Sequence, residues 1–414
     1  MLDGHAAKPA KNAPPPKNHI DMSKATTDIW KSMGLDVHLS EKVQAQRKAT
    51  GAMMDSIEKK LEPHVEAASF PDWIIDHFKP LGINGLSIKD FGAPGMTCVE
   101  QGSIIYEIAK RDGSIATFFL VHNAIGMEVI DKLGNKEQRE RLLPAGMKFE
   151  KIFCFGLTEP LNGSDATGLK TTATKVEGGY VLNGQKRWIG NATMGDVIVW
   201  ARNTADGNKI QAFVVERGSK GFSPKKMEGK FALRMTQNAD IEFKDCFVPE
   251  KNKLEHAKDF ATGTNAILEA SRLTVAWMAA GLAAGAYEAA LKYTLQRVQF
   301  GRPVARFQLI QERLSRMLAN CEFSLAHLVH LSKEFDKKKA SIGQIARTKA
   351  HITKVGRETV ALAREVCGGN GILLENRVMK SMLDMEAMYT YEGTYDINSL
   401  VSGRELTGGL SAIK

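Results

Sequence analysis

The spacing of apolar positions changes twice along the chain. Over residues 38–147 it is helical: "EKVQAQRKATGAMMDSIEKKLEPHVEAA" sets apolar residues three and four apart between charged faces. The next stretch, "CVEQGSIIYEIAKRDGSIATFFLVHNAIGMEVI", is more apolar and predicts two buried helices broken near Asp112, Gly113 and Ser114. From about 150 to 250 the period falls to two. "KIFCFGLTE", "DVIVWARN", "IQAFVVER" and "ADIEFKDCFVP" read as strands between Gly-rich turns. Asn183-Gly184, flanked by Tyr180-Val181-Leu182 and Lys186-Arg187-Trp188, carries a two-residue hairpin signature. From about 256 the pattern returns to long helices as far as Gly403. The order predicts an α+β chain: a helical domain at 37–149, a β domain at 150–253 and a second helical domain at 254–414. The leading "MLDGHAAKPAKNAPPPKNHI" is rich in Pro, Lys and Ala, so residues 1–36 are expected to be a disordered or extended arm.

Composition narrows the function classes. At 414 residues the chain needs more than one packed core. Its net charge of +9 comes from basic residues scattered among acids, without a finger, basic region or RNP motif, so nucleic-acid binding is not expected. The same balance suits a phosphate-rich ligand. Five cysteines without C-x-x-C spacing argue for a reducing compartment and against a disulfide or zinc framework. The ten histidines lack ligand spacing, and no metal is expected. The apolar run 273–287, bounded by Arg272 and Glu288, is too short to span a bilayer and reads as a packing helix, so no transmembrane segment is expected. The N-terminus has no apolar leader, its first arginine is Arg47, and the chain ends in "AIK" rather than an S-K-L type signal. The mitochondrial matrix is the expected compartment, with the peroxisome as the alternative.

Candidate chemistry sits in five segments. "CFGLTEPLNGSD" (154–165) ends a strand in a Gly-Ser turn, which is either plain structure or a source of backbone N–H groups for a phosphate or heterocycle. "GQKRWIGN" (184–191) brings Trp188 to a strand edge, as a buried ring or as a flat face for a cofactor. "TYEGTYDINSLVSGRE" (390–405) places Glu392 beside Gly393, either as a capped helix start or as an isolated functional carboxylate. "RVQFGRPVARFQLIQ" (297–311) and "EVCGGNGI" (365–372) complete the set.

Taken together, these segments resemble the acyl-CoA dehydrogenase/oxidase flavoproteins from about residue 40 onward. Within that family the chain is most similar to the short-chain acyl-CoA oxidases of plant peroxisomes, then to the glutaryl-CoA dehydrogenases. The resemblance implies an N-terminal helical domain, a middle β-barrel domain and a C-terminal four-helix bundle, with FAD between the last two. It implies an acyl-CoA substrate, a homodimer or homotetramer, and oxygen or an electron-transferring flavoprotein as electron acceptor. Phe155, Leu157, Thr158, Gly163 and Ser164 would line the flavin and its ribityl chain, Ser164 also lying near CoA. Trp188, Ile189 and Gly190 would flank the flavin ring. Arg297, Gln299 and Phe300, with Gln308 and the turn at Glu365, Gly368 and Gly369, would reach the neighbouring subunit's FAD pyrophosphate. Thr394 and Asp396 would hold the adenosine part of the subunit's own FAD. Arg272 and Arg404 match positions near the CoA nucleotide and the active-site entrance, the alternative being an ordinary salt bridge.

By the same resemblance Glu392 is the base that removes the α-proton of the thioester, and its backbone N–H donates to the thioester oxygen. Gly393 would give that oxygen clearance. Glu269 is the other place where relatives carry the base. Two departures from the family pattern refine the reading. Glutaryl-CoA dehydrogenases pair the second carboxylate of their substrate with Arg and Ser, aligned here with Ala116 and Leu120, which disfavours a dicarboxylic substrate. Phe118 and Phe119 are then either walls of a short apolar cavity or plain core. "WIGN" has Gly190 where most dehydrogenases have a hydroxyl residue, which either opens space for oxygen beside the flavin or only adjusts packing. A different class of reading also stands: a family member kept as a structural or assembly subunit of a larger complex.

Overall fold

The computed structural model describes Ala25 and residues 27–410. Residues 1–24 of the expected arm lie outside the described residues. The arm's end is not extended: α1 (Ile29–Ser32), capped by Asp28, is followed by a 3-10 turn at Leu35–His38. Trp30 explains the difference. Its ring is buried, stacked on Trp277 at 5.8 Å, with the Arg47 guanidinium 5.2 Å from its centroid. One large aromatic on a core ring outweighs the polar composition around it.

The first helical layer holds α2 (Glu41–Ala67), α3 (Ile74–Phe78), α4 (Cys98–Ala109), α5 (Gly113–His122), α6 (Glu128–Leu133) and α7 (Lys136–Met147). Asp112 breaks α4 from α5 by accepting from the Ser114 and Ile115 N–H groups, as its N-cap position dictates. α5 runs through a π-helical turn at Asn123–Met127 into α6. Gly113–Leu133 and Phe260–Gln296 are long and apolar enough to cross a membrane, yet the first is wholly and the second largely buried against protein, as core helices are.

The middle layer is β1 (Phe153–Gly156), β2 (Thr172–Val176), β3 (Gly179–Ile189), β4 (Asp196–Asn203), β5 (Lys209–Val215), β6 (Phe222–Lys226) and β7 (Ala239–Pro249). They form one half-barrel in the order β1-β4-β2-β3-β7-β6, with β5 also on β4, around a core of its own that includes Leu182, Val199, Phe213 and Phe243. Asn183-Gly184 does not turn the chain. β3 passes straight through it, and the β2–β3 reversal falls at Glu177-Gly178. Gly184 instead sits at a bulge against β7, where a Cβ would come within 2.5 Å of Thr171 Oγ1.

The last layer is a helix bundle: α8 (Asn265–Gln296), α9 (Gln308–Asp336), α10 (Ile342–Val366), α11 (Val378–Thr390) and α12 (Tyr395–Leu406). A small hairpin, β8 (Val298–Gln299) and β9 (Arg302–Pro303), links α8 to α9. The Ala/Gly richness of α8 lets it lie backbone to backbone on α4, where a Cβ on Gly285 would meet the Lys110 carbonyl oxygen at 1.9 Å.

Candidate active site

Glu392 lies in the tight turn between α11 and α12. It has φ +53° and Gly393 has φ +85°, two consecutive left-handed residues, the first of them strained for a side-chain-bearing residue. Thr394 caps α12, its Oγ1 accepting from the Ile397 N–H at 3.1 Å. The turn is tied down from within the fold. Buried Asn398 donates Nδ2 to the Gly393 and Thr394 carbonyls at 2.7 and 3.2 Å. Lys349, wholly buried in α10, donates Nζ to the Gly393 and Tyr389 carbonyls at 2.7 and 3.2 Å. A Cβ on Gly393 would approach Asn398 Nδ2 to 2.9 Å, so this glycine answers to backbone conformation and to Asn398.

The electrostatics of the turn favour a carboxyl with high proton affinity. Burial pushes the Glu392 pKa up, while the Ser271 hydroxyl, Arg272 and Lys349 pull it back. Ser271 of α8 donates Oγ to Glu392 Oε2. Burial, with a smaller contribution from Arg272, lowers Lys349 to about 7 despite the nearby Glu392 carboxylate. Arg272 is buried beside Glu392 rather than paired at the surface, and its Nε has no partner among the described residues. Glu269, on the same helix, also bears on Arg272.

The middle-domain segments are fixed by a buried ion pair. Lys186 Nζ donates to Glu159 Oε1 and to the Leu157 carbonyl, each at 2.9 Å, and burial brings this lysine down to about 8. Glu159 also accepts from the Thr171 N–H at 2.9 Å and the Lys170 N–H at 2.5 Å. This holds buried Leu157 and half-buried Thr158 against β3, the Thr158 carbonyl accepting from Arg187 N–H at 2.8 Å. Phe155 is half-buried, and Gly163 and Ser164 are exposed, with nothing within 4 Å of a Cβ built on Gly163. Trp188 is not a buried ring. With φ +65° it stands 53% exposed beneath the Arg187 guanidinium. Ile189 behind it is buried, and a Cβ on Gly190 would meet Val121 of α5 at 3.2 Å. Buried Asn191 donates Nδ2 to the Phe118 carbonyl at 3.0 Å, leaving its Oδ1 without a partner among the described residues.

Helix α5 connects the two groups of residues. Val121 meets Gly190, Thr117 lies by the Tyr391 ring hydroxyl, and Gly113 meets Asp384 and Met388 of α11. Phe118 and Phe119 are fully buried against Phe70 at 4.5 Å and Phe78 at 5.1 Å, which makes them core of the helical domain. Ala116 and Leu120 are buried as well.

A further set stands elsewhere. Arg297, Gln299 and Phe300 are exposed on the β8–β9 hairpin, about 39 Å along α8 from Ser271 at 1.5 Å per residue. Gln308 opens α9, exposed, and exposed Glu365 accepts both Nε and Nη2 of Arg313 at 2.9 and 2.7 Å. Gly368 and Gly369 are exposed beside Asn370, which donates to the Tyr293 hydroxyl at 2.9 Å. Asp396 and Arg404 are exposed on α12. Ser271, Lys349 and the Lys186–Glu159 pair were not singled out by sequence reasoning. The only local hint was that Ser271 precedes Arg272.

Comparison with known proteins is consistent across all three layers of the fold. Three family models match in order: acyl-CoA dehydrogenase N-terminal domain over 40–150, middle domain over 154–246 and C-terminal domain over 261–407. An acyl-CoA dehydrogenase of Bacillus subtilis is 31% identical over 90% of this chain and 100% of its own length. A subunit of the caffeyl-CoA reductase-Etf complex of Acetobacterium woodii is 29% identical over 86% of this chain and 93% of its own. A glutaryl-CoA dehydrogenase of Mycobacterium smegmatis, solved with FADH2, superposes with a TM-score of 0.89 at 26% identity, covering 94% of this chain and 100% of that one.

Proposed function

Because the chain belongs to the acyl-CoA dehydrogenase family of FAD-dependent CH–CH oxidoreductases, we propose that it α,β-dehydrogenates an acyl-CoA thioester with Glu392 as the base. The observation that carries this is the Glu392 turn itself: a carboxyl whose proton affinity burial has raised, on a backbone held by Asn398 and Lys349. Such a group can take a weakly acidic α-proton while staying at one position. Its own N–H, at the left-handed turn, supports a hydrogen bond to the thioester oxygen, which stabilises enolate character.

FAD, when bound, supplies the acceptor for the β-hydride. The residues suit such a group. An exposed Trp188 face, the open Gly163–Ser164 turn and the unpartnered Asn191 oxygen offer a flat heterocycle one apolar wall and polar atoms at its rim. Phe155, Leu157, Thr158, Ile189 and Gly190 are the neighbouring residues that would hold it. Thr394 Oγ1 accepts from the Ile397 N–H in the helix cap, which leaves its O–H to donate to adenosine beside Asp396. The test is addition of butyryl-CoA to the FAD-bound protein under nitrogen. Bleaching of the flavin with formation of the 2-enoyl thioester is expected; an unbleached flavin with every short and dicarboxylic acyl-CoA would sink the proposal.

Two readings of the acyl group have support. The likeness to the M. smegmatis glutaryl-CoA dehydrogenase over nearly the whole of both chains supports a dicarboxylic substrate. Apolar, buried Ala116 and Leu120 support a short straight chain, roughly four to eight carbons long, because a second carboxylate facing them would have no cation. Comparing kcat/KM for butyryl-, hexanoyl- and glutaryl-CoA, with CO2 release measured, separates them. The likeness to an Etf-complex subunit supports an electron-transferring flavoprotein as partner and leaves room for work inside a larger complex. Oxygen as acceptor rests on Gly190 alone.

A further inference from the structure

We propose that Ser271 is a positioning residue for the base, a hydroxyl that serves Glu392 in both of its protonation states. The inference rests on the reading of Glu392 as base. Ser271 is fully buried in α8. A serine inside a helix ordinarily turns its hydroxyl back onto its own backbone. Ser271 has that acceptor, the Leu268 carbonyl at 3.3 Å, but it also donates to Glu392 Oε2, 121 residues further on. One hydroxyl carries one proton, and an ionised carboxylate is the stronger of two competing acceptors.

Once Glu392 takes the α-proton, the requirement reverses. The α C–H bond breaks, its electron pair stays with the acyl group, its proton stays on Glu392, and the carboxyl becomes a donor. Ser271 Oγ can accept that hydrogen bond while its own proton swings to the Leu268 carbonyl, so nothing is left unpaired. The other described groups facing Glu392 are placed differently. Arg272 on α8 has only N–H donors, Lys349 on α10 turns its Nζ to the Gly393 and Tyr389 carbonyls, and the Tyr391 hydroxyl lies by Thr117 rather than on the carboxyl. Glu269 and Asp384 bear on Arg272 and Tyr391 rather than on Glu392 directly.

Because the bond to the ionised form is the stronger one, removing it should make Glu392 more basic. In Ser271→Ala the acid limb of anaerobic flavin reduction against pH is expected to move up by about one unit. FAD content and acyl-CoA affinity should stay near wild type, and Ser271→Thr should restore the limb. Ser271→Cys, nearly isosteric and a weak donor, should fall between, and it keeps the test open if the alanine variant loses FAD. A limb that stays put in both Ser271→Ala and Ser271→Cys, or a rate that falls equally at every pH, overturns the proposal while leaving the base intact. Glu392→Gln run alongside separates the two ideas: if it still reduces flavin rapidly, the base itself has been misassigned and the proposal about Ser271 falls with it.

Discussion

Glu392 and Gly393 divide one task at the residue level. The glutamate presents a carboxyl and an N–H from a strained conformation, and the glycine allows the chain to leave that conformation towards α12. Glu392→Gln keeps shape and N–H but removes the proton acceptor. Flavin reduction by acyl-CoA should fall by ~10²–10⁴ or more, with FAD and thioester binding retained, as stopped-flow and a binding titration would show. Gly393→Ala puts a Cβ at φ +85° and 2.9 Å from Asn398 Nδ2. A cost of ~1–3 kcal/mol is expected, read as a lower urea midpoint together with slower reduction. An alanine variant as stable as wild type would mean that the turn relaxes freely. Lys349 gives a pH test. Its folded pKa, about 7, lies below the ordinary 10.5, so between these values the unfolded chain binds the extra proton and this group's contribution to stability rises with pH. Wild type should therefore gain on Lys349→Met in urea unfolding between pH 7 and 10. A constant difference would mean that the lysine stays charged in the fold.

Elements meet at a buried ion cluster that no local pattern announces. Lys380 of α11 donates to Asp112, the cap of α5, at 2.8 Å and to Asp384 at 2.5 Å, while Asp384 accepts from the Leu233 N–H of the middle domain at 2.6 Å. All three layers converge on it. Lys380→Met would strand two buried carboxylates and should cost ~3–5 kcal/mol, measured as a fall in the unfolding midpoint at pH 7. An unchanged midpoint would show the cluster to be wet or adjustable. What the sequence could reveal follows the same division. The helix–strand–helix order, the break at Asp112 and the Glu392 turn were legible because periodicity, caps and glycines act within a few residues. The Asn183-Gly184 misreading came from a turn signal that Thr171 packing overrode with a bulge. Trp30 fixed its segment through Trp277, nearly 250 positions away, and Ser271 reached Glu392 across 121. Contacts at such separations leave no trace in a single sequence's spacing.

For the whole molecule, the bundle end that carries the β8–β9 hairpin presents an exposed apolar surface. Phe300 is 88% exposed, with Val298 and Leu309 also largely in solvent, an apolar concentration that a lone chain seldom leaves open. Arg297 stands beside them, about 39 Å along α8 from the Glu392 turn, farther than one extended dinucleotide bound at that turn would reach. Both facts fit a second copy of the chain covering the hairpin, with Arg297 and Gln308 serving its neighbour's FAD. Light scattering of the FAD-bound protein should give a mass two or four times the 45.5 kDa chain. Phe300→Asp should lower that mass and release FAD together. In that arrangement Arg297→Gln should keep the mass and weaken FAD retention, because it would remove a phosphate contact while leaving the apolar surface intact. A monomer that holds stoichiometric FAD would refute the arrangement. So would a Phe300→Asp monomer with unchanged FAD affinity, because the pyrophosphate would then be held within one chain.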